Sequence, residues 1–172
     1  MLGHKTASAL AAELRSGRLD PVELLAAVFA RIDAVADPAI FTEILHPRAE
    51  ACAQAARVRL RAGAPASPLD GVPIGWKDLF DLKGRTTTAG SVVLQSTAPA
   101  AEDAAIVQAA QRGGLISVGA LNITDFAYSG FFINPHYFSP FIPHLSFPPP
   151  RPPFPFGSSS PSPLSFSPPL LP

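Results

Sequence analysis

The sequence predicts an α/β fold over residues 1–130, followed by an irregular Pro/Phe/Ser-rich tail over residues 131–172. Three observations carry this. Capped helix starts precede apolar residues at helical spacing. Short apolar runs at residues 72–77 and 115–118 read as strands that alternate with those helices. The composition then changes abruptly near Gly130.

Taken in order, Thr6 or Ser8 caps a first short helix that ends near Gly17. Asp20-Pro21-Val22-Glu23 is a strong helix start. Asp20 is the N-cap, Pro21 sits in the first turn, and Glu23 completes a capping-box-like pattern. Leu25, Phe29, Ile32 and Val35 then fall on one face. A third helix runs from Pro47 to about Arg61 and closes at Gly63, its alanines suited to close packing and its arginines facing water. Residues 64–70 read as a loop, and residues 72–77 as a buried strand. Residues 81–90 are turn-rich. Glu102-Asp103 opens a further helix, well placed at its positive end, and Gly113-Gly114 stops it. Residues 115–118 form the next strand, and residues 122–128 hold about one helical turn.

The tail is a different kind of chain. Pro, Phe, Ser and Leu make up 34 of its 42 residues, and Arg151 is its one charged side chain. Proline lacks the N–H and fixes φ, so this segment keeps neither a helix nor a central strand. One reading is a disordered or polyproline II segment. The other is that the run is misread coding DNA. Phe, Pro, Ser and Leu share pyrimidine-rich codons, and residues with G-initial codons vanish after Gly130 apart from Gly157.

Bulk properties narrow the class. Thirteen basic residues balance 13 acidic ones, which argues against a nucleic-acid or acidic-membrane partner. The single cysteine, Cys52, excludes an internal disulfide, fits a reducing compartment, and reads as a buried small residue. Glu13 and Arg15 interrupt the apolar stretch at the N-terminus, and no run approaches the ~18 apolar residues of a membrane helix. The expectation is a soluble, cytoplasmic protein. His136 and His144, eight apart with no nearby carboxylate, fit no usual zinc pattern, so no metal is expected. Gly113-Gly114 lacks any phosphate-cradling pattern around it, and no cofactor is expected. Asn122-Ile123-Thr124 matches a glycosylation sequon, which is irrelevant without secretion.

The chemistry-bearing residue is Lys77, at the end of the apolar run Gly71-Val72-Pro73-Ile74-Gly75-Trp76-Lys77-Asp78. Burial disfavours the ammonium form, so a poorly hydrated lysine becomes a base. A base beside serine hydroxyls drives acyl transfer. Ser158-Ser159-Ser160 supplies such hydroxyls about eighty residues later. Taken alone, a lysine at a strand end is usually a solvated edge residue, and three serines in this tail are usually composition.

The arrangement is more specific than its parts. Leu69-Asp70-Gly71-Val72-Pro73-Ile74-Gly75-Trp76-Lys77-Asp78, then Thr88-Ala89-Gly90-Ser91, then Val118-Gly119-Ala120-Leu121-Asn122 with Asp125-Phe126-Ala127, resembles the amidase signature family in order and spacing. Asn134-Pro135-His136-Tyr137, Pro140, Pro143 and Gly157-Ser158-Ser159-Ser160 fall where that family keeps an Asn-containing loop and a Gly-Gly-Ser-Ser motif. The likeness covers about residues 5–160, roughly the first third of a typical member. Phe132, Phe138 and Phe156 stand where the family has glycine, Ser139 for Thr, Ile142 for Asn, and Pro161 for a glycine. Neither Phe nor Pro replaces a glycine that supplies positive φ or close backbone approach. Ala120 and Leu121 replace a commoner Lys-Thr pair, a milder change.

The resemblance implies the N-terminal part of a mixed β-sheet flanked by helices. It also implies hydrolysis of a carboxylic amide by a Ser-Ser-Lys triad. Lys77 matches the base, and Ser158 matches the bridging serine, held in a cis peptide, that relays the proton. The family's nucleophilic serine lies about two dozen residues further on, near position 182 and beyond Pro172. It sits in a Gly-rich loop that helps form the oxyanion hole. The 172-residue chain as written is therefore expected to be inactive, with a small-molecule amide as the substrate of the full family enzyme. Two alternatives stand. One is the A-type component of an amidotransferase, which works on charged tRNA with glutamine as nitrogen donor. The other is a proline-rich interaction module, with Pro148-Pro149-Pro150-Arg151-Pro152-Pro153 as a polyproline II ligand.

Overall fold

The structure, a computed structural model, describes residues 5–35, 37–128 and 134–137. Ser158, His144 and the polyproline run lie outside the described residues, as does the tail apart from residues 134–137.

The helices begin where local chemistry starts them. Helix α1 (Ala7–Arg15) is capped by Thr6, whose hydroxyl accepts the Ala9 N–H, and the chain leaves it through Gly17 at φ +70°. Helix α2 (Pro21–Val35) starts at Asp20, whose carboxylate accepts the Val22 N–H at 2.9 Å. Leu25, Phe29 and Ile32 face the core as their spacing requires, whereas Val35 is exposed at the helix end. Helix α3 (His46–Arg61) buries Ala49, Ala53 and Ala56 completely. Methyl-sized side chains let it lie close to Ile116 and Val118.

Its arginines do not simply face water. Arg48 pairs with Asp103, Arg57 with Asp20, and Arg59 with the fully buried Asp70. Asp70 also accepts the Ala66 N–H, so it gathers the loop after α3 onto the helix.

Three strands form a mixed sheet in the order β1-β3-β2. Strand β1 is Phe41–Ile44, β2 is Pro73–Lys77, and β3 is Ile116–Leu121. β1 runs antiparallel to β3, and β2 runs parallel to it. The parallel pair is joined through helix α4 (Ala105–Arg112), a βαβ unit. Val107 of α4 packs with Trp76, Leu82 and Ala120.

The sequence pattern predicts no strand at residues 41–44, and β1 corrects it. Four residues broken by a register shift carry no period of their own, and pairing with β3 makes them a strand. β3 also runs three residues past the predicted 115–118. Helix α4 starts two residues after Asp103, whose carboxylate is taken by Arg48 and by the Lys83 N–H rather than by a helix cap.

Candidate active site

Lys77 is the last residue of β2, opposite Leu121 at the end of β3, and the Asp78 N–H donates to the Leu121 carbonyl at 3.0 Å. It therefore stands at the carboxyl edge of a parallel pair, the edge where α/β sheets bind ligands. Strand pleating sends neighbours to opposite sides: Lys77 is exposed and Asp78 is fully buried. The buried-strand expectation is corrected here. Trp76 is the buried residue of β2, because β2 is an edge of the described sheet. The described residues leave Lys77 in water.

Asp78 organises the loop that leaves β2. Its carboxylate accepts the Thr88 hydroxyl and N–H and the Arg85 guanidinium, at 2.6 Å from Nη1. Arg85 reaches on to β1, donating from Nε to Glu43 at 3.0 Å and from Nη2 to the Thr42 hydroxyl at 2.9 Å. Burial works against the Arg85 charge. The hydrogen bond and charge of Asp78, with Glu43, outweigh it and hold the guanidinium above its usual range. Nearby, the Thr87 hydroxyl donates to Asp81 at 2.6 Å. Carboxylates thus fold a long loop that has little regular structure.

The Thr88-Ala89-Gly90-Ser91 motif meets the segment after β3. The Phe126 N–H donates to the Ala89 carbonyl at 2.8 Å, within a 3₁₀ turn, Asp125–Ala127. Ala89, Phe126 and Ala127 all take φ near +50°. Buried Asn134 pins the junction. Its Nδ2 donates to Gly90 O and Ile123 O at 2.7 and 2.6 Å, and its Oδ1 accepts the His136 and Tyr137 N–H groups. Asn122 donates to Ala39 O and Tyr137 O. The Lys77-Asp78 block, the Gly90 motif, the Asn122–Asp125 segment and the Asn134 loop are therefore one connected edge.

The other candidates fall into place around it. His136 Nε2 lies 3.9 Å from Asp125. Ser91 is buried with its hydroxyl turned to the Val93 N–H, the role of a cap. Burial pushes the Cys52 thiol up, the reverse of an activated nucleophile. Ser158 lies outside the described residues, so its meeting with Lys77 is not among the contacts seen. Sequence reasoning missed Arg85, Glu43 and Thr42, whose link to Asp78 runs through bonds between positions up to 43 apart.

The family model described as Amidase matches residues 23–144, which spans all three strands and the Lys77 edge. The chain belongs to the amidase signature family. Similar to this amidase-family chain is the A subunit of the glutamyl-tRNA(Gln) amidotransferase of Myxococcus xanthus. It is 42% identical over 120 residues, 69% of this chain and 24% of the relative. Among solved structures, a complex described as vestigial, bearing on the origins of an s-triazine catabolic enzyme, aligns with a TM-score of 0.74. Its identity is 34%, covering 77% of this chain and 29% of the other. The peptide amidase of Stenotrophomonas maltophilia aligns with a TM-score of 0.65 and 28% identity, over 77% of this chain and 27% of its own. The α/β fold with its mixed sheet is thus that of amidase signature enzymes. The aligned part of the chain spans about a quarter of the length of the curated relatives it matches.

Proposed function

We propose that this chain is the N-terminal part of a hydrolase that cleaves carboxylic amides through a Ser-Ser-Lys triad, with Lys77 as base and Ser158 as the relay. The carrying observation is the position of Lys77. It ends a strand of a parallel pair, and the family's other early motifs are tied by hydrogen bonds to the same edge.

The chemistry follows from proton balance. A serine hydroxyl attacks the amide carbonyl carbon while its proton passes to Ser158 and the Ser158 proton passes to Lys77. The tetrahedral intermediate collapses to an ester, and the nitrogen leaves with the proton returned from Lys77. Water then splits the ester to give the carboxylate and regenerate the hydroxyl. Lys77 serves only if it reaches the neutral form near working pH. The described residues leave its side chain exposed, so in this reading desolvation comes from chain outside them.

The attacking serine belongs near position 182, so the 172-residue polypeptide alone turns over no amide. The check is ammonia release from a panel of primary amides. Turnover by this polypeptide that disappears in Lys77→Ala would defeat the inactivity. In a longer product carrying the following segment, Lys77→Ala lowers kcat by about 10³-fold or more. Activity retained there would defeat the base assignment.

A second reading is the A-type component of a tRNA-dependent amidotransferase. The observation in its favour is the 42% identity to a protein of that name. Glutamine hydrolysis stimulated by a partner protein and charged tRNA would support it. Equal activity without them would favour a free-standing amidase.

A further inference from the structure

We infer that the apolar groove between helix α2 and strand β2 binds a small monocarboxylic acid, its apolar chain lying along Val28 and Pro73 and its carboxylate paired with Arg31. The groove encloses about 330 Å³, within the range of small-molecule sites. Leu24 and Val118 are its most buried lining, and Val28, Ile32 and Ile74 stand beside them partly exposed. Among the described residues that line it, Arg31 is the one charged side chain. At about 30 Å³ per heavy atom, the share of one water in the liquid, the space holds roughly eleven heavy atoms, which an acid of about eight carbons supplies. Covering the α2 and β2 side chains with that chain removes apolar surface from water, and this drives entry.

Charge complementarity selects the head group. Arg31 is exposed, and among the described residues no hydrogen bond or ion pair holds its guanidinium. The arginines of α3 differ in this: Arg48, Arg57 and Arg59 are each taken by an aspartate. A free guanidinium offers a planar fork of N–H donors that fits both oxygens of a carboxylate, whereas an amine would be repelled and an alcohol would gain one weaker bond. Asp33 and Asp37 line the adjoining hollow, which shares Ile32 and Phe41 with the groove, but neither lines the groove itself. Asp37 is engaged by the Ala39 N–H. The site contains neither Lys77 nor Ser158 and its test reads binding alone, so its failure is separate from that of the proposed amide chemistry.

The test is photolabelling of the whole 172-residue chain with a diazirine-bearing octanoic acid, and with the matching octanol, mapped by peptide mass spectrometry. The acid is expected to label α2 and β2 and to be displaced by unlabelled octanoate. Arg31→Gln is expected to lower labelling by the acid about 3- to 10-fold and to leave labelling by the alcohol within about twofold of the parent. Labelling spread over exposed apolar residues elsewhere, such as Val58 and Val93, overturns the inference. So does an equal fall for both probes, which marks a structural role for Arg31, or no change for either. If Arg31→Gln does not fold by circular dichroism, the two probes on the parent chain decide, and equal labelling by acid and alcohol overturns it. Labelling that falls as protein concentration rises gives the groove to a second copy of the chain. Labelling that is lost in the longer product gives it to the segment that follows, and either result also overturns the inference.

Discussion

Gly90 shows how much one residue carries in this edge. Its φ is +72°, and a Cβ there would run into the Ile123 carbonyl oxygen and sit 2.9 Å from Asn134 Nδ2. Strain at positive φ and the collision act together, so Gly90→Ala is expected to cost about 2–4 kcal/mol, seen as a lower urea midpoint. A change under about 0.5 kcal/mol would mean the junction is looser than its contacts indicate. The sequence marked this position through the Thr88-Ala89-Gly90-Ser91 motif, but not the reason for it. The oxygen that forbids a side chain comes from a segment more than thirty residues later. Lys77 and Asp78 give the same lesson from the other side. Their adjacency was plain in the sequence, while their opposite burial depended on which side of the strand was covered.

At the scale of elements, ion pairs join what hydrophobic contacts leave apart. Arg48 of α3 grips Asp103, just ahead of α4, through two short bonds of 2.8 and 2.6 Å. The Arg48 hydrogen bond, with the Lys83 N–H and charge, outweighs burial and holds the Asp103 carboxyl below its usual value. A carboxyl depressed in the folded state contributes stability above its unfolded pKa and loses it as pH falls through the folded pKa. Stability should therefore drop as pH falls below the ordinary aspartate pKa of about 4, and Asp103→Asn should flatten part of that slope. Urea midpoints across that range check it, and an unaltered slope would assign the acid sensitivity to other groups such as Asp20. Helix starts were legible because caps are local: Thr6 and Asp20 act within three residues. The α3 arginines read as solvent-facing from sequence because their partners lie 11 to 55 residues away. β1 was not legible because a four-residue strand exists only by pairing.

For the whole molecule, β1 and β2 are the edges of the described sheet, and the aligned part of the chain is about a quarter of the length of the curated relatives it matches. Apolar side chains stand in water around the fold, among them Val58 at 69%, Val93 at 68% and Tyr128 at 95% exposure. Open edges and exposed apolar groups favour self-association. The 172-residue chain, expressed alone, is expected to bind the dye ANS and to elute above monomer size at micromolar concentration. A monodisperse monomer without dye binding would show that this portion closes its own surface. Two things followed from the sequence by itself: the α/β class, and the family motifs from which the roles of Lys77 and Ser158 are proposed. Both rest on signals confined to a few neighbouring residues, namely caps, apolar periodicity and short blocks of fixed spacing. The tertiary structure decided the rest: strand order, the exposure of Lys77, and the Asp78–Arg85–Glu43 and Gly90–Asn134 connections. Those depend on which distant segments fold against one another, and no local spacing encodes that.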